Sequence, residues 1–367
     1  MTETGAEDRS PKPRAETPPV SVEAGLAEIW TALLGVAEIR DTNDFFDLGG
    51  TSLDLAELVE RVANMFGVEL GTQVLGATPR FEAQVALLRG HSAAPAGKVG
   101  PRLVHIGASR GAGEAVVFVH PIGGSILGYQ EIADALPDWI DKIAVPAPGL
   151  SSGTPLLSSV EEMASHYLSE LEGVTSAKRL HLVGSSFGGL VTHAMAISLE
   201  GRCGCHAYLL DTPYPAHPMR YFWGPREIFS QMLPHELRDR FEVATAPKDP
   251  EADLVAALTR LDPQFRNLHV EDVRRRLAVF ARNQDAMFRY RPPRTRTGLT
   301  YLRAQSATPE FDSQRAERAW LAHAHDPQAH AVVPGDHTTM LRDAGAVGIA
   351  RMIRAHLRLD PEPDDAV

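Results

Sequence analysis

The stretch Val183-Gly184-Ser185-Ser186-Phe187-Gly188-Gly189 decides the fold of this chain. It follows a short apolar run and precedes a helical pattern. A strand, a tight glycine turn and a helix in this order are the context in which a G-x-S-x-G sequence forms a nucleophile elbow, whereas an ordinary Gly/Ser loop needs neither flank. The motif fits in one frame, which makes Ser186 the candidate nucleophile. Gly184 and Gly188 would flank a turn too sharp for side chains.

Strands and helices alternate on both sides of this stretch. Continuous β-branched and aromatic runs predict strands at 115–119, 143–145, 180–183, 207–210 and 299–302. Amphipathic helical patterns lie between them, and this alternation implies a mostly parallel sheet with helices on both faces. With the elbow after an inner strand, the predicted fold of this part of the chain is an α/β-hydrolase.

The loop after the first of these strands, 120–125, reads His-Pro-Ile-Gly-Gly-Ser. In this fold that loop donates one backbone N–H to an oxyanion, and the residue after the nucleophile donates the other. The expected donors are therefore the amides of Ile122 and Phe187. His120 precedes the elbow, whereas the catalytic histidine of this fold comes last, so His120 is predicted to be a structural hydrogen-bonding group.

The base has to be chosen by position, because the chain has 15 histidines. His337 follows the last strand pattern and precedes the C-terminal helix, where this fold places its base. Two positions are open for the acid. Asp211 lies at the tip of the strand after the elbow helix, and Glu310 or Asp312 follows the next strand. A carboxylate at either tip could orient the imidazole.

The N-terminal part of the chain has another pattern. Residues 1–20 hold charges and prolines with almost no large apolar groups, which predicts a disordered tail. Three amphipathic helices are predicted to begin at Ser21, at Leu53 and at Thr78-Pro79, the last with threonine as cap and proline at the first helical position. They form a predicted bundle at 21–89. A linker at 90–101 and a tail at 359–367 complete the predicted organisation.

Between the first two helices, residues 44–53 read Asp-Phe-Phe-Asp-Leu-Gly-Gly-Thr-Ser-Leu. A serine here could simply cap a helix. The segment, however, closely resembles the phosphopantetheine attachment site of carrier proteins, and its double glycine is closer to peptidyl carriers of nonribosomal peptide synthetases than to polyketide carriers. The resemblance implies that Ser52 carries a 4'-phosphopantetheine arm, attached by a phosphopantetheinyl transferase. A helix N-terminus would also favour the phosphodiester of the arm.

Residues 102–358 resemble type I thioesterase domains, which terminate nonribosomal peptide assembly. Their characteristic blocks occur here in order: His-Pro-x-Gly-Gly-Ser at 120–125, Ala-Pro-Gly-Leu at 147–150, Gly-x-Ser-Phe-Gly-Gly at 184–189, Leu-Leu-Asp at 209–211 and Gly-Asp-His at 335–337. In that family the carboxylate of Leu-Leu-Asp is the acid, so the resemblance selects Asp211. One departure is Ser185, where tryptophan is often found.

The resemblance further implies that residues 213–293 form a helical lid over the site. Amphipathic pieces around 228–233, 254–261 and 273–280 agree with helices there. The run Arg274-Arg275-Arg276 could contact the phosphate of the arm or the acidic carrier, although a solvated helix face is the favoured interpretation.

The whole chain thus predicts an all-α carrier bundle followed by an α/β-hydrolase domain with a lid insertion. An acyl or peptidyl thioester would pass from the arm on Ser52 to Ser186 and leave by hydrolysis or cyclisation. Adenylation and condensation proteins would load the carrier in trans. Two alternatives remain: an editing thioesterase that clears stray acyl groups, and a carrier scaffold whose hydrolase domain does not turn over.

The composition limits the possible functions and the cellular compartment further. The net charge of −11 gives no support for nucleic-acid binding. The two cysteines, Cys203 and Cys205, cannot form a disulfide framework and suit a reducing cytoplasm. They also lack two further ligands at metal spacing, so both are interpreted as buried or loop residues. The predicted acyl transfer itself needs neither a metal nor a nucleotide. Because no long apolar run occurs, neither export nor a membrane span is predicted.

Overall fold

The computed structural model describes most of both predicted domains. The described residues are 21–50, 78–92, 103–106, 113–150, 154–215, 270–307, 311–324 and 330–357, with isolated positions at 55, 58–59, 61–62, 65–66, 68, 70, 75–76, 255–257 and 260. Several predictions fall outside them: the tail at 1–20, Ser52, most of the linker, the first half of the lid, Glu310 and the tail at 359–367.

The first predicted helix is confirmed. Helix α1 spans Val22–Leu34, and the Ser21 hydroxyl accepts a hydrogen bond from the N–H of Ala24 at 3.2 Å. The helix ends at Gly35, whose φ of 67° is left-handed. The described residues between 55 and 66 are helical as well, in agreement with the second predicted helix.

The start predicted for the third helix is wrong. Helix α2 spans Phe81–Ser92 and does not include Pro79. The residues before it pair with the loop after α1: the N–H of Phe45 donates to the Pro79 carbonyl at 2.9 Å, and Asp44 and Arg80 form an antiparallel bridge. These tertiary hydrogen bonds hold 79–80 extended. At its other end α2 runs three residues into the predicted linker, because a single glycine is tolerated inside a helix.

A buried tryptophan organises the carrier core. The indole of Trp30 packs edge-on against Phe45 and Phe81, with ring centroids 5.1 and 5.3 Å apart. Its Nε1–H donates to Oε1 of Gln84 at 3.0 Å, and Nε2 of Gln84 donates to the Leu75 carbonyl at 3.1 Å. One buried amide therefore joins α1, α2 and the segment that precedes α2.

A seven-stranded sheet forms the centre of the second domain, in the order β1-β3-β2-β4-β5-β6-β7. Among the strands that the structure describes, only β1 is antiparallel to its neighbour. The five predicted strands are confirmed, with β4 in the middle of the order. The strands are β1 Val104–His105, β2 Glu114–Val119, β3 Asp141–Val145, β4 Arg179–Ser185, β5 Gly204–Leu210, β6 Gly298–Ala304 and β7 His330–Val333.

Helices cover both faces of this sheet, as the alternating pattern predicts. They are α3 Gln130–Asp134, α4 Val160–Glu172, α5 Phe187–Leu199, α6 Val270–Arg289, α7 Ser313–Leu321 and α8 Asp343–Arg354. Alternate residues of β2 enter different cores: Val116 and Phe118 share one with α3 and α8, whereas Ala115 and Val117 share the other with α4 and α5. No helix in the described part of the chain is long and apolar enough to cross a membrane.

Candidate active site

Ser186 lies on a strained turn between β4 and α5. Its backbone has φ 53° and ψ −123°, a conformation that costs a non-glycine residue energy and lifts its side chain away from the sheet. The turn is packed tightly: a Cβ on Gly188 would lie 2.6 Å from the Val119 carbonyl oxygen and 2.7 Å from that of His120. Strand, turn and helix therefore have the arrangement that the opening sequence predicts.

The structure brings His337 and Asp211 to this serine. Nε2 of His337 lies 3.0 Å from Oγ of Ser186, and Nδ1 lies 2.7 Å from Oδ2 of Asp211. The side chain of His337 is 20% exposed and that of Asp211 is fully buried. The imidazole thus bridges a partly accessible hydroxyl and an inaccessible carboxylate, which is the geometry required to move a proton from the hydroxyl to a charge-stabilised imidazole.

Asp211 is held by groups that sequence reasoning missed. Oδ1 accepts from the N–H of Ala304 at 3.3 Å, and Oδ2 is 3.5 Å from the hydroxyl of Ser313. Its own N–H donates to the Leu302 carbonyl at 2.7 Å. These contacts cross to β6 and α7, so no local signal marks them. They give the carboxylate a defined orientation toward His337.

The competing acid position has another role. Oδ1 of Asp312 accepts from the N–H of Arg315 at 2.9 Å and caps the N-terminus of α7. Glu310 lies outside the described residues. Of the two described candidates, Asp211 contacts His337 and Asp312 satisfies a helix end.

The loop that carries His337 is shaped by its preceding aspartate. Oδ1 of Asp336 accepts from the N–H groups of Thr338 and Thr339 at 2.9 and 2.8 Å. Burial would raise the pKa of Asp336, but these hydrogen bonds and that of the Thr339 hydroxyl hold the pKa below its usual value. The carboxylate stays ionised at neutral pH and fixes the turn after His337. Phe311 packs edge-on against the imidazole with ring centroids 5.4 Å apart.

His120 anchors the loop that holds Ile122. Its Nδ1 lies 2.8 Å from the carbonyl oxygen of Pro121, and its Nε2 lies 2.7 Å from the hydroxyl of Tyr167. Burial lowers the pKa of His120 to about 4, so the ring is neutral at physiological pH. A carbonyl only accepts, which assigns the proton to Nδ1 and makes Nε2 the acceptor from Tyr167. His120 therefore has the structural role that its position in the sequence predicts.

This anchoring orients the N–H of Ile122. The Pro121 carbonyl accepts from Nδ1 of His120 and from the N–H of Gly124, the latter at 2.9 Å. The peptide bonds are trans, so the N–H of Ile122 points away from these donors. The N–H of Phe187, at the first position of α5, has no acceptor within the helix. The oxyanion roles of Ile122 and Phe187 stay predictions.

Tyr129 is a second structural group with no signal in the sequence. Its hydroxyl donates to the Val119 carbonyl at 2.7 Å and accepts from the N–H of Ser185 at 2.8 Å. Burial raises the pKa of this phenol well above its usual value, so it stays a donor. The bond ties the end of β2 to the end of β4. Ser185, which stands where thioesterases often have tryptophan, is buried next to this hydrogen bond.

The described residues around position 52 fit a carrier site. Oδ1 of Asp44 accepts from the N–H of Phe46 at 2.9 Å, and the N–H of Gly50 donates to the Phe45 carbonyl at 2.9 Å. A Cβ on Gly50 would lie 2.5 Å from the Phe45 ring, so this position requires glycine. Leu55, on the other side of Ser52, is helical and buried in the carrier core. In the sequence, Ser52 thus lies between a described loop that ends at Gly50 and a described helical residue, Leu55.

A mostly parallel sheet with a serine elbow after its central strand defines the class of the second domain as an α/β-hydrolase. Comparison with protein families is more specific. Residues 114–357 match the thioesterase domain, and residues 24–88 match the phosphopantetheine attachment site. The chain belongs to the thioesterase domain family and carries a phosphopantetheine-binding carrier domain ahead of it.

Similar proteins include large synthetases, among them a nonribosomal peptide synthase. Over 225 residues the chain is 30% identical to malpibaldin synthetase of Mortierella alpina, which covers 55% of this chain and 4% of that protein. It is 27% identical over 262 residues to the dimodular nonribosomal peptide synthase of Bacillus subtilis, covering 68% of this chain and 11% of that protein. The chain thus spans a small fraction of the curated relatives it matches.

Solved structures agree with both domains. A holo four-domain nonribosomal peptide synthetase bound to AMP and glycine superposes with a TM-score of 0.61 at 22% identity, covering 95% of this chain and 27% of that one. At this identity the likeness shows the fold. The Vlm2 thioesterase domain, solved with a bound dodecadepsipeptide, superposes with a TM-score of 0.50 at 25% identity over 69% of this chain and 97% of that domain.

Proposed function

We propose that this protein releases an acyl or peptidyl chain from its own carrier domain, with Ser186 as nucleophile, His337 as base and Asp211 as the orienting acid. The observation that carries the proposal is the continuous row of hydrogen-bonding distances, 3.0 and 2.7 Å, that joins the strained elbow serine to a buried carboxylate through one imidazole. The peptide synthetases to which the chain is similar support a peptidyl substrate.

The reaction has two halves. Nε2 of His337 takes the proton of Ser186 as Oγ attacks the thioester carbonyl, and the amides of Ile122 and Phe187 donate to the oxyanion. His337 then gives this proton to the leaving sulfur as the carbon–sulfur bond of the substrate breaks. In the second half, water or an amine or hydroxyl of the chain loses its proton to His337 and attacks the ester. The Ser186 oxygen leaves and recovers a proton, which releases an acid or a macrocycle.

The carrier delivers the substrate to this site. We propose Ser52 as the attachment point of 4'-phosphopantetheine, whose thiol, when the group is bound, holds the chain as a thioester. A phosphopantetheinyl transferase installs the arm, and adenylation and condensation enzymes acting in trans load it. We place the reaction in the cytoplasm, since Cys203 and Cys205 are both free thiols. The segment at 213–293 is the proposed lid, of which α6 is the described C-terminal part.

The test is a time course of intact mass. Apo protein is loaded from an aminoacyl- or peptidyl-coenzyme A by a phosphopantetheinyl transferase, which releases adenosine 3',5'-bisphosphate, for the wild type and for the Ser52→Ala, Ser186→Ala and Ser198→Ala variants. Ser198 is a matched control, because it lies on α5, the helix that follows Ser186, and its hydroxyl donates to the Ala194 carbonyl at 3.0 Å and not to the candidate site. Wild type and Ser198→Ala should lose the acyl group, Ser186→Ala should keep it, and Ser52→Ala should take up no arm.

The alternatives predict other outcomes in the same assay. An editing thioesterase would clear acyl groups from separate carrier proteins faster than from Ser52. A carrier scaffold would hold the acyl group equally long in the wild type and in Ser186→Ala across a panel of peptidyl chains. Either result contradicts release in cis, and adding separate adenylation and condensation enzymes tests loading in trans.

A further inference from the structure

Helix α6 contacts the loop that contains Ile122. Nδ2 of Asn283 donates to the carbonyl oxygen of Ile122 at 2.8 Å, and Asn283 is only 2% exposed. The two residues are 161 positions apart in the chain. A carbonyl only accepts, so the amide of Asn283 must present its NH₂ group here. This hydrogen bond is separate from the contacts that join Ser186, His337 and Asp211.

A second residue on the same face of α6 supports the same loop. Val279 lies one helical turn before Asn283, on the same face. Its Cγ1 would be 3.0 Å from a Cβ on Gly124, and its Cγ2 would be 2.9 Å from a Cβ on Gly149. Apolar packing by Val279 and a hydrogen bond from Asn283 therefore seat α6 on the turn at 121–124.

Both peptide groups that flank Ile122 are held at their carbonyls. The Pro121 carbonyl accepts from His120, and the Ile122 carbonyl accepts from Asn283. Two glycines follow, and Gly124 has a φ of 82°, so the backbone there has many accessible conformations. A peptide next to glycine rotates at little steric cost unless its polar groups are bound. Asn283 supplies that bond on the side of the loop that His120 does not reach.

We propose that Asn283 is a positioning residue for the oxyanion hole. By fixing the Ile122 carbonyl, it restricts the backbone of Ile122 and keeps the adjacent N–H directed at the oxyanion. The seating of α6 on the loop thereby sets how well the site stabilises the tetrahedral intermediate. This inference rests on the proposed function. It adds that Asn283 on α6, in the segment between β5 and β6, holds the loop of the proposed oxyanion hole in place.

The test separates positioning from simple packing with two substitutions. Asn283→Leu keeps the shape of the side chain and removes the donor. Asn283→Ala also removes the donor, but it leaves room for a water molecule that can donate to the Ile122 carbonyl. A positioning role predicts that Leu lowers kcat more than Ala does. A packing role predicts the reverse, because Ala creates the larger cavity. Gln284→Leu, at a neighbouring residue that is 6% exposed, is the matched control.

Two ligands distinguish the oxyanion from general binding. A trifluoromethyl ketone analogue of the acyl-pantetheine forms a tetrahedral adduct with an oxyanion on Ser186, whereas the corresponding thioether binds without one. Direct removal of an oxyanion donor costs 10²–10³ in kcat, so loss of a supporting group should cost less, about 10- to 50-fold in Asn283→Leu. The ketone should bind weaker by a similar factor, while KM and thioether affinity should stay within about twofold.

The inference is overturned if kcat of Asn283→Leu stays within about twofold of that of the wild type. It is also overturned if thioether affinity falls as much as ketone affinity, if Ala is the more damaging substitution for kcat, or if Gln284→Leu has the same effect. If Asn283→Ala does not fold, the ratio of ketone to thioether affinity in Asn283→Leu still decides. If Asn283→Leu does not fold, Asn283→Asp takes its place, because it keeps the shape of the side chain and presents an acceptor instead of a donor to the Ile122 carbonyl; an unchanged ratio in Asn283→Asp overturns the inference. Failure of the proposed function itself has a different signature, namely wild-type turnover that does not depend on Ser186.

Discussion

Replacement of Asp211 by asparagine tests the proposed acid at the level of a single proton. In the wild-type site, Oδ1 accepts from the N–H of Ala304 and Oδ2 accepts from Nδ1 of His337. The backbone N–H can only donate, so the asparagine oxygen should take the Oδ1 position. Its NH₂ group then faces Nδ1, and the imidazole must carry its proton on Nε2. That proton points at Ser186, whose hydroxyl loses its base.

The size of the effect follows from the same contacts. The reverse orientation of the amide restores the correct tautomer but places two donors against each other at a fully buried position, at a cost of about 2 kcal/mol. Even then the imidazolium formed during the reaction has lost a hydrogen bond to a charged acceptor, worth about 2–3 kcal/mol. Together these terms correspond to a loss of about three orders of magnitude in kcat.

The assay is single-turnover loss of an acyl group from the loaded carrier, followed by mass. Asp312→Asn is the matched control, because Asp312 caps α7 and asparagine is an equally good cap. It should retain nearly wild-type kcat, whereas Asp211→Asn should retain about a thousandth. Retention of more than about a tenth of kcat by Asp211→Asn would refute the role of Asp211. Loss of activity in Asp312→Asn but not in Asp211→Asn would assign the acid to the other tip.

Three further results are expected. Gln84→Leu leaves the indole N–H of Trp30 without its buried acceptor and the Leu75 carbonyl without its donor. It should lower the unfolding free energy of the carrier domain by about 1–3 kcal/mol, measured by tryptophan fluorescence in urea, and equal midpoints for Gln84→Leu and wild type would contradict this. Gly188→Ala should abolish soluble folded protein, because the new Cβ would lie 2.6 and 2.7 Å from backbone oxygens. Gly173→Ala is the control and should fold normally, because a Cβ there lies 3.5 Å from its nearest neighbour. Circular dichroism of the two purified variants checks both expectations. Burial lowers the pKa of His193 to about 4, so as pH falls below about 6.5 the unfolded chain binds a proton that the folded protein does not. The unfolding free energy should therefore decrease by about 1.4 kcal/mol per pH unit down to about pH 4. His193→Leu should reduce the slope of unfolding free energy against pH by that amount, and an unchanged slope would show that His193 does not contribute.

Local patterns predicted the elements of this fold well. The strands at 115–119 and 180–183 are continuous apolar runs, and the first helix begins directly after Ser21, where the pattern predicted its start. Such signals depend on neighbouring residues alone, so they survive in the folded protein. The start of α2 was predicted wrongly by the same logic. The Thr78-Pro79 cap is a good local signal, but hydrogen bonds from residues 43–45 hold that segment extended.

In the candidate site, too, local motifs predicted some residues and only tertiary contacts identified the others. The order of the elbow serine and the late histidine in the chain was sufficient to propose Ser186 and His337, because the connectivity of the fold dictates where each lies. The tips of β5 and β6 could not be ranked from residue types, since both carry a carboxylate and both lie at the same edge of the sheet. The structure places Asp211 against His337, and Asp312 at a helix cap.

The sequence by itself determined the fold class, the domain order and the residues that local motifs mark. Only the tertiary structure decided which groups support them. Tyr129, Ser313 and Asn283 reach their partners across 56, 102 and 161 residues of chain, and none belongs to a motif. The reason is physical: a hydrogen bond between distant segments depends on distance and orientation after packing, whereas caps, turns and periodicities are properties of adjacent residues.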